Sequence, residues 1–344
     1  EIIDELGSIE DMVQEFSQED YVQMPAVCGD GTPDGGDGQS CAGGTADNAG
    51  GQGCRVNTSD DAVGQSCGVS ISDGAGGQSY EGCCKAIVLE NVCADVTVCR
   101  SKDDRVRVQY YGNGDRRYRF YQYEKDQTLY VGLRPQQTEH LKSFLAFGKT
   151  IFAVLGSGKC GSFELEIPEH FSGVQISSAS GDVELDGVSA ERLTLSAASG
   201  DYVLVHNAAA QLTIQTGSGD VEINDTAAKN GAIRTGSGDI TVSGLRGERL
   251  TVATGSGDVT VSGLRGEKLT VATGSGTVEL GADIKSCTVK TGSGDVQAEL
   301  EGADSVTIGT ANGDVELSLT GTAGIDLNAT SVNGQLEVTG HGQV

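Results

Sequence analysis

Tryptophan is absent from this 344-residue chain, and phenylalanine and proline number only seven and four. Large aromatic side chains ordinarily anchor a thick globular core, so their shortage argues against one. Cations are scarce too: 23 Lys and Arg face 49 Asp and Glu, a formal charge of −26. Nucleic acid and anionic lipid surfaces both attract basic proteins, so neither is an expected partner. No stretch is long and apolar enough to span a bilayer as a helix. The four histidines, at 140, 170, 206 and 341, are scattered, and no GxSxG, Cys-His or metal-ligand spacing occurs. His140 and His170 adjoin Leu141 and Phe171, which predicts packing rather than chemistry. An enzyme is therefore not expected, and no cofactor is called for.

What the chain has in excess is glycine, 52 residues of it, set in a repeat. The triplet SGD returns with Asp182, Asp201, Asp220, Asp239 and Asp258, nineteen residues apart each time. The beat continues with Thr277 in the aspartate slot, then Asp295, Asp314 and Gln335, in steps of eighteen, nineteen and twenty-one. A fixed period near twenty residues with glycine turns is the signature of a solenoid, in which each repeat covers its neighbours. Alternation around each aspartate predicts four inward columns. One and three residues after it come pairs such as Val183 and Leu185, or Leu336 and Val338 in the last rung. Eight and six before it come pairs such as Leu250 and Val252. Cys287 occupies one of these apolar columns, so a buried thiol is expected there. A threonine column four before the aspartate, from Thr216 to Thr310, shares the inward parity and is expected to line the interior beside the turn.

The stacked aspartates would repel one another by about 1 kcal/mol per neighbour in water, so something must stabilise the column. Hydrogen bonds from the N–H groups of the Gly-Ser-Gly turn are the simpler answer, and a row of Ca²⁺ ions the alternative. The spacing fits the known calcium roll poorly. The Gly/Asp-rich segment from residue 28 to 83 suits Ca²⁺ better, but lacks the EF-hand frame.

Four segments are predicted. Residues 1–24 place Ile2, Leu6, Ile9, Val13 and Phe16 on one face of an amphipathic helix, either a cap over its own solenoid or an arm for a neighbouring subunit. Residues 25–85 carry a second repeat, headed by Cys28, Cys41, Cys54 and Cys67, thirteen residues apart. If each unit is one coil, these cysteines stack within disulfide reach; the other reading is an irregular disulfide-tied loop. Cys83, Cys84, Cys93, Cys99 and Cys160 complete the disulfide candidates, with Cys160 expected to pair with Cys93 or Cys99. Residues 86–170 hold a disguised rung, CADVTV, with Asp95 in the aspartate column. Strands around a GNGD turn and an EKDQ turn follow, and then the apolar run 139–155, expected as a helix or loop plugging the stack. Residues 171–344 are the regular rungs.

The order of these motifs resembles the bacterial adhesin-like, or toast-rack, β-solenoid family over about residues 86–340. That family runs an opening strand like ENVCADVTV, a charged strand like DDRVRVQYY, strands like TLYVGL and FELEIPEH, and then serial SGDVEL rungs. The resemblance implies an all-β, single-stack solenoid and says little about chemistry.

Ten cysteines, eight before residue 100, fit an oxidising extracellular or cell-surface location, reached after removal of a signal peptide. The one basic island is Arg100, Lys102, Arg105, Arg107, Arg116, Arg117 and Arg119, interleaved with tyrosines. It reads either as a contact for an acidic protein surface or as a solvated cap face. The last rung, QLEVTG, shows no cap, so head-to-tail assembly of copies into a filament or surface layer is the first expectation. A monomeric adhesin binding a glycan or protein along one face is the second, and a polysaccharide-active enzyme the third.

Overall fold

The computed structural model describes residues 69–72, 77–114, 116–135, 144–147, 150–153, 160–321 and 324–341. Every element among them is a β-strand. The predicted helix of residues 1–24 and the Cys28, Cys41, Cys54 and Cys67 ladder lie outside the described residues. Ten strands precede the regular rungs: β1 (Val69–Ser72), β2 (Gly77–Gly82), β3 (Ala86–Glu90), β4 (Asp95–Arg100), β5 (Val106–Gly112), β6 (Tyr118–Lys125), β7 (Thr128–Pro135), β8 (Phe144–Phe147), β9 (Thr150–Ala153) and β10 (Gly161–Ile167).

The first regular rung is β11 (Phe171–Ser180) followed by β12 (Val183–Asp186). Each pairs in parallel with its counterpart one repeat on, Ile176 against Leu195 and Leu185 against Leu204. The stack, of about nine turns, continues to the strands Asp326–Asn333 and Leu336–His341. The four columns are its core. Leu250, Val252, Val259 and Val261 are all at most 3% exposed, and Leu269, Val271, Val278 and Leu280 of the next rung at most 4%. Burying four such side chains contributes roughly 1.5–3 kcal/mol each, which only a covering rung on either side can supply.

The turn glycine shows why the triplet repeats so strictly. Gly257 has a φ of +151°, and a Cβ there would lie 2.1 Å from the carbonyl oxygen of Gly238 in the rung before. The same collision, at 2.0–2.3 Å, recurs at each SGD glycine from Gly181 to Gly313. Stacked backbones at one corner leave no room for a side chain.

At the N-terminal end the sheet changes character. β3 and β4 are true rung strands, lying parallel against β11 and β12. Beyond β3 comes β7, parallel, and then β6, antiparallel. Beyond β4 comes β10, parallel, then β5, β2 and β1, each antiparallel to the last. The β6–β7 hairpin turns at Asp126 and Gln127, whose φ of 52° and 59° match the two-residue turn that suits strand twist. The GNGD segment is a correction: it leads from β5 to β6, which do not pair but belong to opposite faces of the stack. β2 is another: besides β1 of the cysteine-repeat segment it pairs with β5, and so it joins the solenoid as well. A third concerns the apolar run 139–155, where β8 and β9 form an antiparallel pair instead of a helix or loop. Phenylalanines and the β-branched Thr150 and Ile151 favour the extended chain there. His170 is the fourth: it is exposed in a left-handed turn, φ 61°, and does not pack.

Candidate functional site

The aspartate column resolves first. Asp182 N–H donates to Asp95 Oδ1 at 3.2 Å, and Asp201 N–H to Asp182 Oδ1 at 3.1 Å. Asp220, Asp239 and Asp258 repeat the bond on the rung before at 2.8–2.9 Å. Thr277 N–H uses Asp258, Asp314 N–H uses Asp295, and Gln335 N–H uses Asp314. The donor is thus the next rung's own aspartate N–H, not the Gly-Ser-Gly amides expected from the sequence. Each carboxylate is exposed, apart from the half-buried Asp95, and spends one oxygen stapling two rungs. The column is a structural device, and Thr277 is its one gap.

The threonine column is buried, from 0% exposure at Thr273 to 6% at Thr235. Thr235, Thr254, Thr273 and Thr310 donate through Oγ1 to the carbonyl of the preceding rung's SGD glycine at 3.2–3.3 Å. Thr291 Oγ1 is buried with no partner. Its rung is the eighteen-residue one, where the register against the rung before shifts between Ser262 and Leu264.

Cys160 is bridged to Cys93, with Cα atoms 5.3 Å apart, which ties β10 to the loop before β4. Cys84, buried, and Cys99, half-buried, carry no disulfide, a correction to their place among the candidates; Cys83 is exposed. Burial pushes the Cys84 thiol up to about 12, and it does the same for Cys287, a thiol packed in its aliphatic column.

The basic island divides into two parts with different partners. Arg105, just before β5, meets Glu81 at 2.7 Å, and Arg107 on β5 meets Asp103 at 2.6 Å and Glu166 at 3.0 Å. The Arg107 hydrogen bond holds the Asp103 carboxyl down at about 2. Arg100 pairs with Glu169. These cations are committed to the fold. Arg116 and Arg117 are exposed before β6, and Arg117 lies over the Tyr118 ring at 5.6 Å.

Arg119 belongs to the other part. It stands on β6 directly across from Arg134 of β7, and both are exposed. The Arg134 guanidinium lies 4.1 Å from the Tyr121 ring centre, and Tyr121, Tyr123 and Tyr130 stack in a row. The Tyr121 hydroxyl donates to Glu90; burial first, then that bond, push its pKa above the usual range. Gln78, Arg119, Phe120, Tyr121, Gln122 and Arg134 line a cleft of about 440 Å³ at the N-terminal mouth of the stack. Arg134, Gln78 and Gln122 escaped the sequence reading, because only the pairing of β6 with β7 brings them beside Arg119. At the opposite end, Leu336 and Val338 are 46% and 41% exposed, with Val332 at 53%. Ile2, Leu6, Ile9, Val13 and Phe16 lie outside the described residues.

These features, an SGD-stapled parallel stack with an antiparallel N-terminal end, are those of a toast-rack β-solenoid. The chain belongs to the family described as Toastrack DUF4097, whose model matches residues 84–248 and 206–343. Among solved structures, a candidate lipid-binding protein from Parabacteroides distasonis is similar at 15% identity, with 78% of this chain and 99% of that chain covered and a TM-score of 0.47. A candidate adhesin from the same organism has 13% identity, coverage of 80% and 96%, and a TM-score of 0.42. Another, from Bacteroides fragilis, has 15% identity, coverage of 76% and 97%, and a TM-score of 0.35. No curated protein matches the sequence.

Proposed function

We propose that this chain is a non-enzymatic, adhesin-like surface protein whose solenoid is a stiff rod presenting a binding end. The observation that carries this reading is the contrast in side-chain chemistry along the stack. Successive rungs present much the same side chains at each level, whereas the non-repeating arginines and tyrosines concentrate in β5, β6 and β7. A repeat supplies length; a departure from it supplies specificity. The Cys93–Cys160 disulfide supports an oxidising, extracellular setting. The test is binding of the purified chain to immobilised glycans and to surface proteins. Saturable binding without turnover is expected. Release of reducing ends or unsaturated sugars from a polysaccharide would replace this reading with an enzymatic one.

A second reading is end-to-end stacking of copies, favoured by the exposed Leu336 and Val338 in columns that are buried in the rungs before them. The contact would be heterologous and could propagate into a filament. Arg119 and Lys125 on the edge strand β6 act against it, since charges on an edge discourage pairing. Negative-stain microscopy should then show fibres. A monodisperse monomer at high concentration, with or without Ca²⁺, would sink this reading.

A further inference from the structure

We infer that the solenoid associates side by side with a second copy of itself. The outward flank of the longer rung strands on one rod meets the outward flank of the shorter strands on its neighbour. The inference is independent of the binding-end reading and concerns the sides of the stack.

The two flanks differ in charge. Three outward rows run up the longer strands, from Ser189–Ser199 to Ser305–Asn312. They lead from Arg192 to Ser305, from Thr194 to Thr307 and from Ser196 to Gly309. The charged residues in these rows are Arg192, Arg234, Arg249, Lys268 and Lys290, all of them cations. Arg192 Nε and Arg249 Nη1 donate to the side-chain oxygens of Gln211 and Asn230 at 3.3 and 3.4 Å. Those neutral amides orient the guanidinium groups and leave their charge in place. Glu248 and Glu267, which border the first row, face Lys229 and Lys285 at 3.5 Å.

The shorter strands show the reverse. Their two outward rows run from Glu184 to Glu316 and from Asp186 to Ser318. They carry Glu184, Asp186, Glu222, Glu279, Glu299 and Glu316, all exposed, and no cation. In a chain with 49 acidic and 23 basic residues, a flank without a single acid is a segregation of charge, and its complement lies on the same molecule.

Pitch is what makes a second copy the matching partner. Both flanks repeat at strand spacing, about 4.8 Å, so the charge rows of two parallel rods stay in step. A partner of another spacing drifts out of step within a few rungs. With one rod displaced by one rung, the levels of Arg192, Arg249, Lys268 and Lys290 face those of Glu222, Glu279, Glu299 and Glu316. The middle row of the basic flank is threonine apart from Ala232, and Ala253, Ala272 and Gly309 beside it are small, so nothing bulky holds the flanks apart. The net charge of −26 is a minor obstacle, because a Debye length of about 10 Å at 0.1 M salt screens all but the facing rows. Complementary rows of this kind set partner and register more than strength, so the contact is reversible. It is also heterologous, and repeats from rod to rod.

Sedimentation velocity of the full chain tests this. Near 0.1 M salt the weight-average mass should rise with concentration, and association should weaken at least tenfold at about 1 M salt. Arg249→Glu with Lys268→Glu reverses two levels of the basic flank, and Glu279→Lys with Glu299→Lys reverses two levels of the acidic one. These positions are exposed, so both double variants should keep the wild-type thermal midpoint. Each alone should associate at least tenfold more weakly. An equimolar mixture should recover association, because opposite charges face each other again at those levels. A wild type that stays monomeric at high concentration, indifference to either pair of substitutions, or folded variants whose mixture fails to recover would overturn the inference. So would association abolished by Leu336→Asp, which places the contact at the end of the stack. A monomer that takes up polygalacturonate through Arg249 and Lys268 would overturn it too, assigning the basic flank to an acidic polymer.

Discussion

The regular rungs and the N-terminal end share one stack but solve the packing problem differently. A rung strand is covered by copies of itself, so aliphatic columns, one corner glycine and one aspartate per level are sufficient. The end has no such copy to lean on. It turns antiparallel, fills its interior with Tyr110, Phe120 and Phe163 at 4.8–6.3 Å ring separations, and knits its surface with the Arg107 network. Repetition makes the rungs uniform, and its absence leaves the end able to hold side chains for purposes beyond packing. Tyr80 shows the difference. Its hydroxyl donates to Glu124 at 3.0 Å, whereas the Tyr202 hydroxyl, within a valine column, is buried without a partner.

The comparison can be broken most forcefully at a corner. Gly257→Ala puts a Cβ onto the Gly238 carbonyl and is expected to cost about 3 kcal/mol or more. Gly309→Ala, which meets nothing within 4 Å, should be close to neutral by thermal denaturation. Next in size is the core. Leu269→Ala, at 0% exposure, should cost roughly 2–5 kcal/mol, against about 0.5 kcal/mol or less for Leu336→Ala in the open rung. An equal cost at both positions would show that Leu336 is covered in solution.

The threonine column offers a finer contrast. Thr254→Val removes a bond to Gly238 O and leaves that carbonyl short of a donor, a loss of about 1 kcal/mol. Thr291→Val removes only an orphaned hydroxyl and should be neutral or stabilising in denaturant titrations. The smallest effect is confined to the N-terminal end and depends on pH. Asp103 has its carboxyl lowered from 3.8 to about 2 by Arg107, so its contribution is complete above its unfolded value and fades as pH falls through the folded one. Protection of the β5 amides, taken relative to their intrinsic exchange rates, should therefore fall between about pH 4 and pH 2. In Asp103→Asn that pH dependence should flatten, while exchange in the rungs should respond little to the substitution.

The sequence by itself determined the period, the corner glycines, the four aliphatic columns and the inward threonines. Each is a local property repeated until chance is excluded, and stacking identical units at strand spacing leaves one geometry. It also placed Asp95 in the column, through CADVTV. What it could not determine was which group each aspartate would staple, because the in-turn amides adjoin it along the chain while the next-rung amide, nineteen residues away, comes near only once the rungs stack. The same limit hid the divorce of β5 from β6 across the GNGD segment, since a turn motif says where a chain bends and not which face it joins. It also hid the cleft. Arg119, Gln78 and Arg134 are spread over fifty-odd residues, and only the tertiary pairing brings them together. Repetition writes its contacts in the sequence; a single, unrepeated site is assembled by the fold alone.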